Sequence, residues 1–323
     1  MATVRVGQIG LGHWGTLHCK ALTRAHGVKL VGIYDIDYNK AENIAQLYEV
    51  KAFSNLDSLL DVVEAVVVAV PARQHFKIAH RALSRDVSVF VEKPITAAVS
   101  EAETLVRLAL EKDLILQVGH IERFNPAVRA LKQEDIRPKY IEATRMTRFQ
   151  GRGGDVSVVL DLMIHDLDLA LYFAKSEVAE IRAHGAAVIT QELDFAHAMI
   201  RFENGCLAAL SASRAAFQNL RQMYIHQNSA VYHIDFLERK SKKMALERTT
   251  KTQSAPNFTN DPNLESELQC LASDDHEALS EQLRAFIYSV GRGVNPVVDG
   301  TQGKQVLELA TEIARQIDRA KKP

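Results

Sequence analysis

The stretch Val4-Arg5-Val6-Gly7-Gln8-Ile9-Gly10-Leu11-Gly12-His13-Trp14-Gly15 decides the fold of the N-terminal half. It reads as a buried apolar strand, a G-x-G-x-x-G turn, and the first turn of a helix. The three glycines act differently. Gly10 makes the tight turn, Gly12 lets backbone approach a pyrophosphate, and Gly15 lets the helix pack closely on the sheet. The helix N-terminus, with His13 and Trp14 in its first turn, presents free N–H groups and a positive dipole end to phosphates. A second strand, Lys29-Leu30-Val31-Gly32-Ile33-Tyr34, ends at Asp35, at the distance from the glycines where an acidic side chain reaches the adenosine ribose. That carboxylate pairs with the 2′-OH of NAD and repels the 2′-phosphate of NADP. The residues after it, Ile36-Asp37-Tyr38-Asn39, supply no Arg for such a phosphate, and Lys40 is the only nearby cation, so NAD is the expected cofactor.

Working outward, the alternation continues. Helical segments at Lys40–Tyr48, Leu56–Leu60, Phe76–Leu83 and Ser100–Lys112 separate apolar strands at Ala65–Val70, Val87–Val91 and Leu114–Val118. Unbroken Val-rich strands between helices predict a parallel sheet covered on both faces. The expected fold is α/β: an N-terminal Rossmann-type doubly wound parallel sheet over residues 1–120. A C-terminal α+β domain with an open, mainly antiparallel sheet follows over 121–300. There one helix, Val156–Phe173, precedes strand-like runs at Glu180–Ile189, Ala196–Phe202, Cys206–Ser213, Gln222–His226 and Ala230–Phe236. The polar segment Thr249–Asp275 reads as a surface excursion. Two helices close the chain, near His276–Val290 and Thr301–Ala320.

At 323 residues the chain suits two domains with proper cores. A 47% apolar and 24% charged composition is that of a soluble globular protein, and a net charge of −1 gives no bulk reason to expect nucleic acid or an acidic membrane surface. Cys19, Cys206 and Cys270 form no C-x-x-C pair and read as reduced thiols of a cytoplasmic protein. The first strand begins within a few residues of Met1, which leaves no room for a signal peptide, and no apolar run is long enough to span a bilayer. An antiparallel sheet with an open face implies self-association, as a homodimer or homotetramer.

Four stretches carry chemistry. Strand Val87–Val91 runs into Glu92-Lys93-Pro94, at the carboxyl edge where open α/β sheets bind ligands, and Lys93 would project toward the cofactor crevice. The alternative is a solvated Glu-Lys pair at a strand end. Asp161 and His165 are spaced i, i+4 and share a helix face, so the carboxylate can orient or charge an imidazole suited to taking a hydroxyl proton. The run His165-Asp166-Leu167-Asp168 points to different faces and lacks a second His at i+4, so no metal is expected. Gly119-His120-Ile121-Glu122-Arg123-Phe124-Asn125-Pro126 lies at another strand end. There His120 is a substrate contact or a structural histidine, and Arg123 binds a substrate anion or pairs with Glu122. The loop Val70-Pro71-Ala72-Arg73-Gln74-His75 is turn chemistry, or places Pro71 and His75 at the cofactor.

Gly10-x-Gly12-x-x-Gly15, Glu92-Lys93-Pro94 and Asp161-x-x-x-His165, in that order, resemble the Gfo/Idh/MocA oxidoreductase family. The tail Asn295-Pro296-Val297-Val298-Asp299-Gly300 with Leu307-Glu308-Leu309-Ala310 is also similar to that family's C-terminal end. The resemblance implies NAD(P)-dependent oxidation of a sugar or cyclitol hydroxyl, oligomer contacts through the open sheet, and a last helix that packs back on the first domain. It also implies that Lys93, Asp161 and His165 face the substrate, with Lys93 and His165 able to exchange the role of base. Glu92 and Lys93 then also belong to the cofactor site. Within the family, the Gly119–Pro126 and Met163–Asp168 runs are similar to a branch that oxidises C3 of UDP-N-acetylglucosamine, whose 3-keto product an aminotransferase converts for lipid A. An inositol or free-sugar dehydrogenase and a non-catalytic NAD-binding sensor are the alternatives. A nucleotide sugar needs diphosphate ligands, and Arg145, Arg148 and Arg152 before the catalytic helix are read as these or as surface charges. Gly153-Gly154-Asp155-Val156 departs from the family where a third glycine is common.

Overall fold

A computed structural model describes residues 3–149, 151, 153–245, 265–268 and 277–320. The chain divides into two compact units, Met1–Ile121 with Asp274–Glu308, and Glu122–Ser273 with Leu309–Pro323.

The first unit alternates strand and helix. Its elements are β1 (Val4–Ile9), α1 (His13–Arg24), β2 (Val28–Tyr34), α2 (Tyr38–Tyr48), β3 (Lys51–Ala52), α3 (Leu56–Leu60), β4 (Ala65–Val68), α4 (His75–Ser84), β5 (Ser88–Glu92), α5 (Val99–Glu111) and β6 (Leu116–Gly119). All six strands are parallel and lie in the order β3-β2-β1-β4-β5-β6. The order reverses between β1 and β4, which makes their carboxyl edge the switch point where doubly wound sheets bind ligands. Every residue of β4 is buried, as a strand with helices on both faces requires. Asp37 and Asn55 start α2 and α3 by accepting the Lys40 and Asp57 N–H groups, at 3.1 and 2.8 Å.

The core of this unit also takes in Leu279, Leu283, Phe286 and Ile287 of α8 (Glu277–Arg292), packed with Val4, Leu22 and Phe90. The sequence reading puts α8 in the second domain. Its apolar stripe recurs at three- and four-residue spacing, which shows that one face is buried but not against what. The segment before α9 (Gly300–Ala320) runs beside β6, with the Val118 N–H donating to Val298 O at 3.0 Å. Gly300 and Gly303 let α9 approach: Cβ atoms there would lie 2.6 and 2.4 Å from Leu116 and Val118.

The second unit carries α6 (Pro126–Arg129), β7 (Tyr140–Arg148), α7 (Ile164–Ala174), β8 (Val178–Ala186), β9 (Phe195–Phe202), β10 (Leu207–Ser213), β11 (Ala215–His226), β12 (Ala230–Asp235), β13 (Lys240–Ala245) and β14 (Glu265–Leu268). The strands lie in the order β14-β13-β12-β11-β7-β10-β9-β8, antiparallel except for β7 with β10. β7 sits at the centre of this sheet yet does not read as a strand, because one of its inward positions is Arg145 and not an apolar residue. Of the excursion expected over 249–275, Glu265–Leu268 forms the edge strand β14, and the remainder lies outside the described residues.

Among the described residues no helix is long and apolar enough to cross a membrane, and no group of three His, Cys, Asp or Glu could hold a metal ion. Cys19 and Cys206 are buried free thiols, and burial pushes them up to about 12 and about 11. Cys270 lies outside the described residues.

Candidate active site

The glycine turn of the first unit divides its work among the three glycines. Gly10 has φ +83°, and a Cβ there would lie 2.5 Å from Ala69 O. A Cβ on Gly15 would lie 1.9 Å from Gly10 O, so the turn and α1 meet in backbone contact. A Cβ on Gly12 would meet nothing within 4 Å among the described residues, so this is the open side of the turn. The first N–H groups of α1 receive no side-chain cap from Gly12 and face that opening. Asp35 accepts the Leu11 N–H at 2.7 Å on Oδ2 and the Asp37 N–H at 3.0 Å on Oδ1, which fixes its carboxylate beside the turn. An open cradle, an uncapped helix N-terminus and a positioned carboxylate fit a dinucleotide with free ribose hydroxyls. His13 and Trp14 are exposed at the start of α1.

Sequence reasoning missed Gln8. It is fully buried in β1, and its Nε2 donates to Gly10 O at 2.9 Å and Ile9 O at 3.2 Å, bracing the turn from below. A polar residue directly before the glycine turn, between Gly7 and Ile9, was the available signal.

Pro71 is exposed and precedes the 3₁₀ turn Ala72–Gln74, whereas His75 is buried. The ring nitrogens of His75 lie 2.8 Å from Pro94 O and 2.8 Å from Val70 O. Burial lowers its pKa, and the two carbonyls and Glu92 oppose that shift. Glu92 ends β5, and Lys93 and Pro94 follow, joined by a cis peptide. Lys93 is partly buried, and His120 after β6 is buried.

In the second unit the helix expected over 156–173 starts later and differently. Val159–Met163 form a π-turn that runs into α7. The Asp161–His165 spacing thus passes from the wide turn into regular helix, and such turns concentrate at functional sites. Asp161 and His165 are partly buried, while Asp166 through Ala170 are all buried. Two aspartates inside that run need partners, because an unpaired buried charge is strongly unfavourable.

Both partners are arginines whose roles the sequence leaves open, Arg123 as a substrate ligand or a partner of Glu122 and Arg145 as a diphosphate ligand or a surface charge, and both are buried in ion pairs. Arg145 on β7 grips Asp166 with two bonds, at 3.0 and 2.8 Å, and Glu122 with a third at 2.8 Å. Burial works against the charge on Arg145, but Asp166 and Glu122 outweigh it and raise its pKa, and burial pushes Asp166 up against the pull of Arg145. Arg123 forks onto Asp168 at 2.7 and 2.9 Å and lies over the Tyr172 ring, 4.1 Å from its centroid. Of the two alternatives for Arg123, the pairing is with Asp168, while Glu122 is taken by Arg145 and Asn125. The strand pleat sends Arg148 to the face opposite Arg145, exposed at the end of β7, and Arg152 lies outside the described residues.

A second brace holds the loop in front of Asp161. Arg214 donates to Gly153 O and Val156 O. Gly153 has φ +72°, and a Cβ there would lie 3.1 Å from Asp161 Oδ2. Behind Arg214, Asp194 accepts N–H bonds from Val188, Ile189 and Thr190 at 2.6–2.8 Å. Burial alone would raise Asp194, but these donors and the Thr190 hydroxyl take it down to about 2. A recess lined by Lys139, Phe173, Lys175 and Asn204 lies at the far end of α7, about 15 Å along the helix from His165, and is unrelated to that residue.

A family model described as the GFO/IDH/MocA oxidoreductase family, NAD-binding Rossmann fold, matches residues 4–120, and one for the GFO/IDH/MocA C-terminal domain matches 127–232. The chain is 33% identical to UDP-N-acetylglucosamine 3-dehydrogenase of Acidithiobacillus ferrooxidans over 97% of both chains. It belongs to the GFO/IDH/MocA family. The crystal structure of that A. ferrooxidans enzyme superposes with a TM-score of 0.89 at 31% identity, covering 99% of each chain. Myo-inositol 2-dehydrogenase of Thermotoga maritima is 25% identical over 98% of this chain and 96% of its own. Membership of the GFO/IDH/MocA family makes the chain an NAD-binding oxidoreductase that acts on CH–OH groups. It also accounts for the glycine turn and the Glu92-Lys93-Pro94 stretch at strand ends of one sheet.

Proposed function

We propose that the protein oxidises a secondary hydroxyl of a sugar with NAD, and that the substrate is UDP-N-acetylglucosamine, oxidised at C3. The single observation that carries the substrate is the 33% identity to the A. ferrooxidans 3-dehydrogenase over 97% of both chains.

In this reading Gly10–Gly15 and the α1 N-terminus hold the pyrophosphate and Asp35 holds the ribose hydroxyls. When bound, NAD supplies the acceptor for the hydride that leaves C3. His165 takes the hydroxyl proton as the C=O bond forms, and Asp161 supports the imidazolium. Lys93 donates a hydrogen bond to the oxygen and stabilises the charge that develops there. With Arg123 and Arg145 engaged by carboxylates, Arg148 and Arg152 are assigned to the diphosphate. Self-association is placed on the open sheet face, where Phe195, Met199, Leu207 and Tyr224 are exposed. The enzyme is cytoplasmic, and an aminotransferase consumes its 3-keto product.

The test is NADH formation at 340 nm with UDP-N-acetylglucosamine, its uronic acid, myo-inositol and glucose, with an aminotransferase and glutamate added to draw off a 3-keto product. Turnover on UDP-N-acetylglucosamine alone is the expected result. Turnover on myo-inositol instead would discard the nucleotide-sugar assignment while keeping the roles of Lys93 and His165; the 25% identity to the T. maritima enzyme makes this the second reading. NAD binding without turnover on any of the four would count against the assigned substrate.

A further inference from the structure

Lys93 is bracketed by two buried histidines from different helices. On its N-terminal side, His18 of α1 is fully buried and its Nε2 donates to Glu92 Oε1 at 2.7 Å. The other oxygen, Oε2, accepts the backbone N–H of Lys93 at 3.3 Å. Gly119 of β6 makes the room for this carboxylate, since a Cβ there would lie 2.6 Å from Oε2. The edge of the Phe90 ring packs on His18 with centroids 5.4 Å apart, and Phe286 backs Phe90 at 5.8 Å. On the C-terminal side, His75 of α4 is 1% exposed and its Nδ1 lies 2.8 Å from the carbonyl oxygen of Pro94. Its Nε2 lies 2.8 Å from Val70 O; the neutral ring carries a single N–H, which in the tautomer protonated at Nδ1 is donated to Pro94 O, while the ring packs against the loops that follow both β4 and β5.

Neither ring is open to a substrate. What the two rings touch are the residues immediately before and after Lys93. We propose that His18 and His75 are positioning residues that set the backbone of Lys93 from both sides and so aim its amine at the reacting oxygen. α1 begins at the phosphate turn, so the His18–Glu92 bond also ties the position of Lys93 to the element that holds the cofactor. A lysine side chain carries about 2 kcal/mol of rotamer entropy, and its aim depends on a backbone that does not move. A displacement of about 1 Å in a reacting group lowers rate about 100-fold.

This inference rests on the reading of Lys93 as a group that contacts the substrate oxygen, and the experiment separates the two. The variants are His18→Leu and His75→Phe, with the partial replacements His18→Gln, His75→Asn and His75→Gln. Asn at 75 keeps a donor where Nδ1 meets Pro94, whereas Gln keeps one where Nε2 meets Val70. Two readouts are taken: steady-state kinetics on the substrate found above, and the pH dependence of Lys93 acetylation by acetic anhydride, read by peptide mass spectrometry. The second needs no substrate, and exposed Lys175 serves as the internal control.

The expected result is a kcat lower by about 10–100-fold in His18→Leu and His75→Phe. KM and the NAD dissociation constant stay within about twofold, and the acetylation profile moves at Lys93 but not at Lys175. His18→Gln and His75→Asn recover most of kcat, and His75→Gln recovers less. Folded variants with a wild-type kcat and a wild-type Lys93 profile, beside an inactive Lys93→Met, would overturn the proposal. Equal recovery by His75→Asn and His75→Gln at equal Tm would do so too. A fully active Lys93→Met would instead overturn the role of Lys93, and the acetylation profile would still decide whether the histidines set its place.

Discussion

The phosphate turn of the first unit and the His165 helix of the second are built in opposite ways. The turn is made of backbone within a short span of sequence: three glycines, one of them at positive φ, with Gln8 and Asp35 as braces. The helix is held by side chains far apart in sequence, with Asp166 and Asp168 gripped by Arg145 and Arg123. A backbone site tolerates no added atom at the contact points. A side-chain site tolerates change of shape but not the loss of one charge from a buried set. The difference yields graded ways to break each.

The largest effect is expected at Arg145. Replacing it by Met leaves Asp166 and Glu122 buried without their partner, which costs about 3–5 kcal/mol of stability. A thermal or denaturant melt measures it, and adding Glu122→Gln and Asp166→Asn to Arg145→Met should recover part of the loss. A melt unchanged by Arg145→Met would show that the network does not hold the helix.

Next in size is His165→Ala, which should lower turnover by about 10²–10⁴ while NAD titration and Tm stay near wild type. Lys93→Met in parallel distinguishes the base from the oxygen ligand. The variant whose pH–rate profile loses its acidic limb identifies the proton acceptor.

The two glycines on either side of the turn sharpen the contrast within one motif. Gly15→Ala forces a Cβ into Gly10 O and should destabilise the fold by about 1–3 kcal/mol. Gly12→Ala places its methyl in open space, so the melt should not move, but NAD affinity should fall roughly tenfold, equivalent to about 1.4 kcal/mol. An unchanged NAD affinity in Gly12→Ala would show that the pyrophosphate does not sit there.

The effect at Asp194 is read against pH, and its sign is fixed. Its folded pKa, about 2, is below the ordinary carboxyl value of 3.8. Its stabilisation is therefore complete above about pH 4 and is lost as pH falls toward about 2. Asp194→Asn should lower Tm at neutral pH, where the contribution of the charge is complete, and flatten the Tm–pH curve between about pH 4 and about pH 2. An equally steep curve in the variant would remove Asp194 from the acid sensitivity.

The same contrast explains what could be read in advance. The order of strands and helices in the first unit follows from periodicity, because a parallel sheet buries both faces of every strand and leaves Val-rich runs. The turn, Asp35 and the Glu92-Lys93-Pro94 stretch are legible because each acts where the chain places it locally. β7 and the partners of Arg123 were not legible: a central strand with an inward Arg145 breaks the apolar pattern that marks a strand, and Arg123 has an acidic neighbour, Glu122, that it does not use. The π-turn at Val159–Met163 has no glycine or proline to announce it. It packs against β10, a neighbour that no local pattern names.

Sequence alone was enough for the alternating fold of the first unit, for NAD as the cofactor, and for the family to which the chain belongs. These rest on local geometry and on residues whose chemistry is complete within a few positions. Tertiary packing was needed to show that α8 joins the first core, that Arg123 and Arg145 serve the helix from within, and that His18 and His75 flank Lys93. Those outcomes depend on which buried donor meets which buried acceptor across spans of 19 to 74 residues, as in His75–Pro94 and His18–Glu92, and no local pattern encodes such a match.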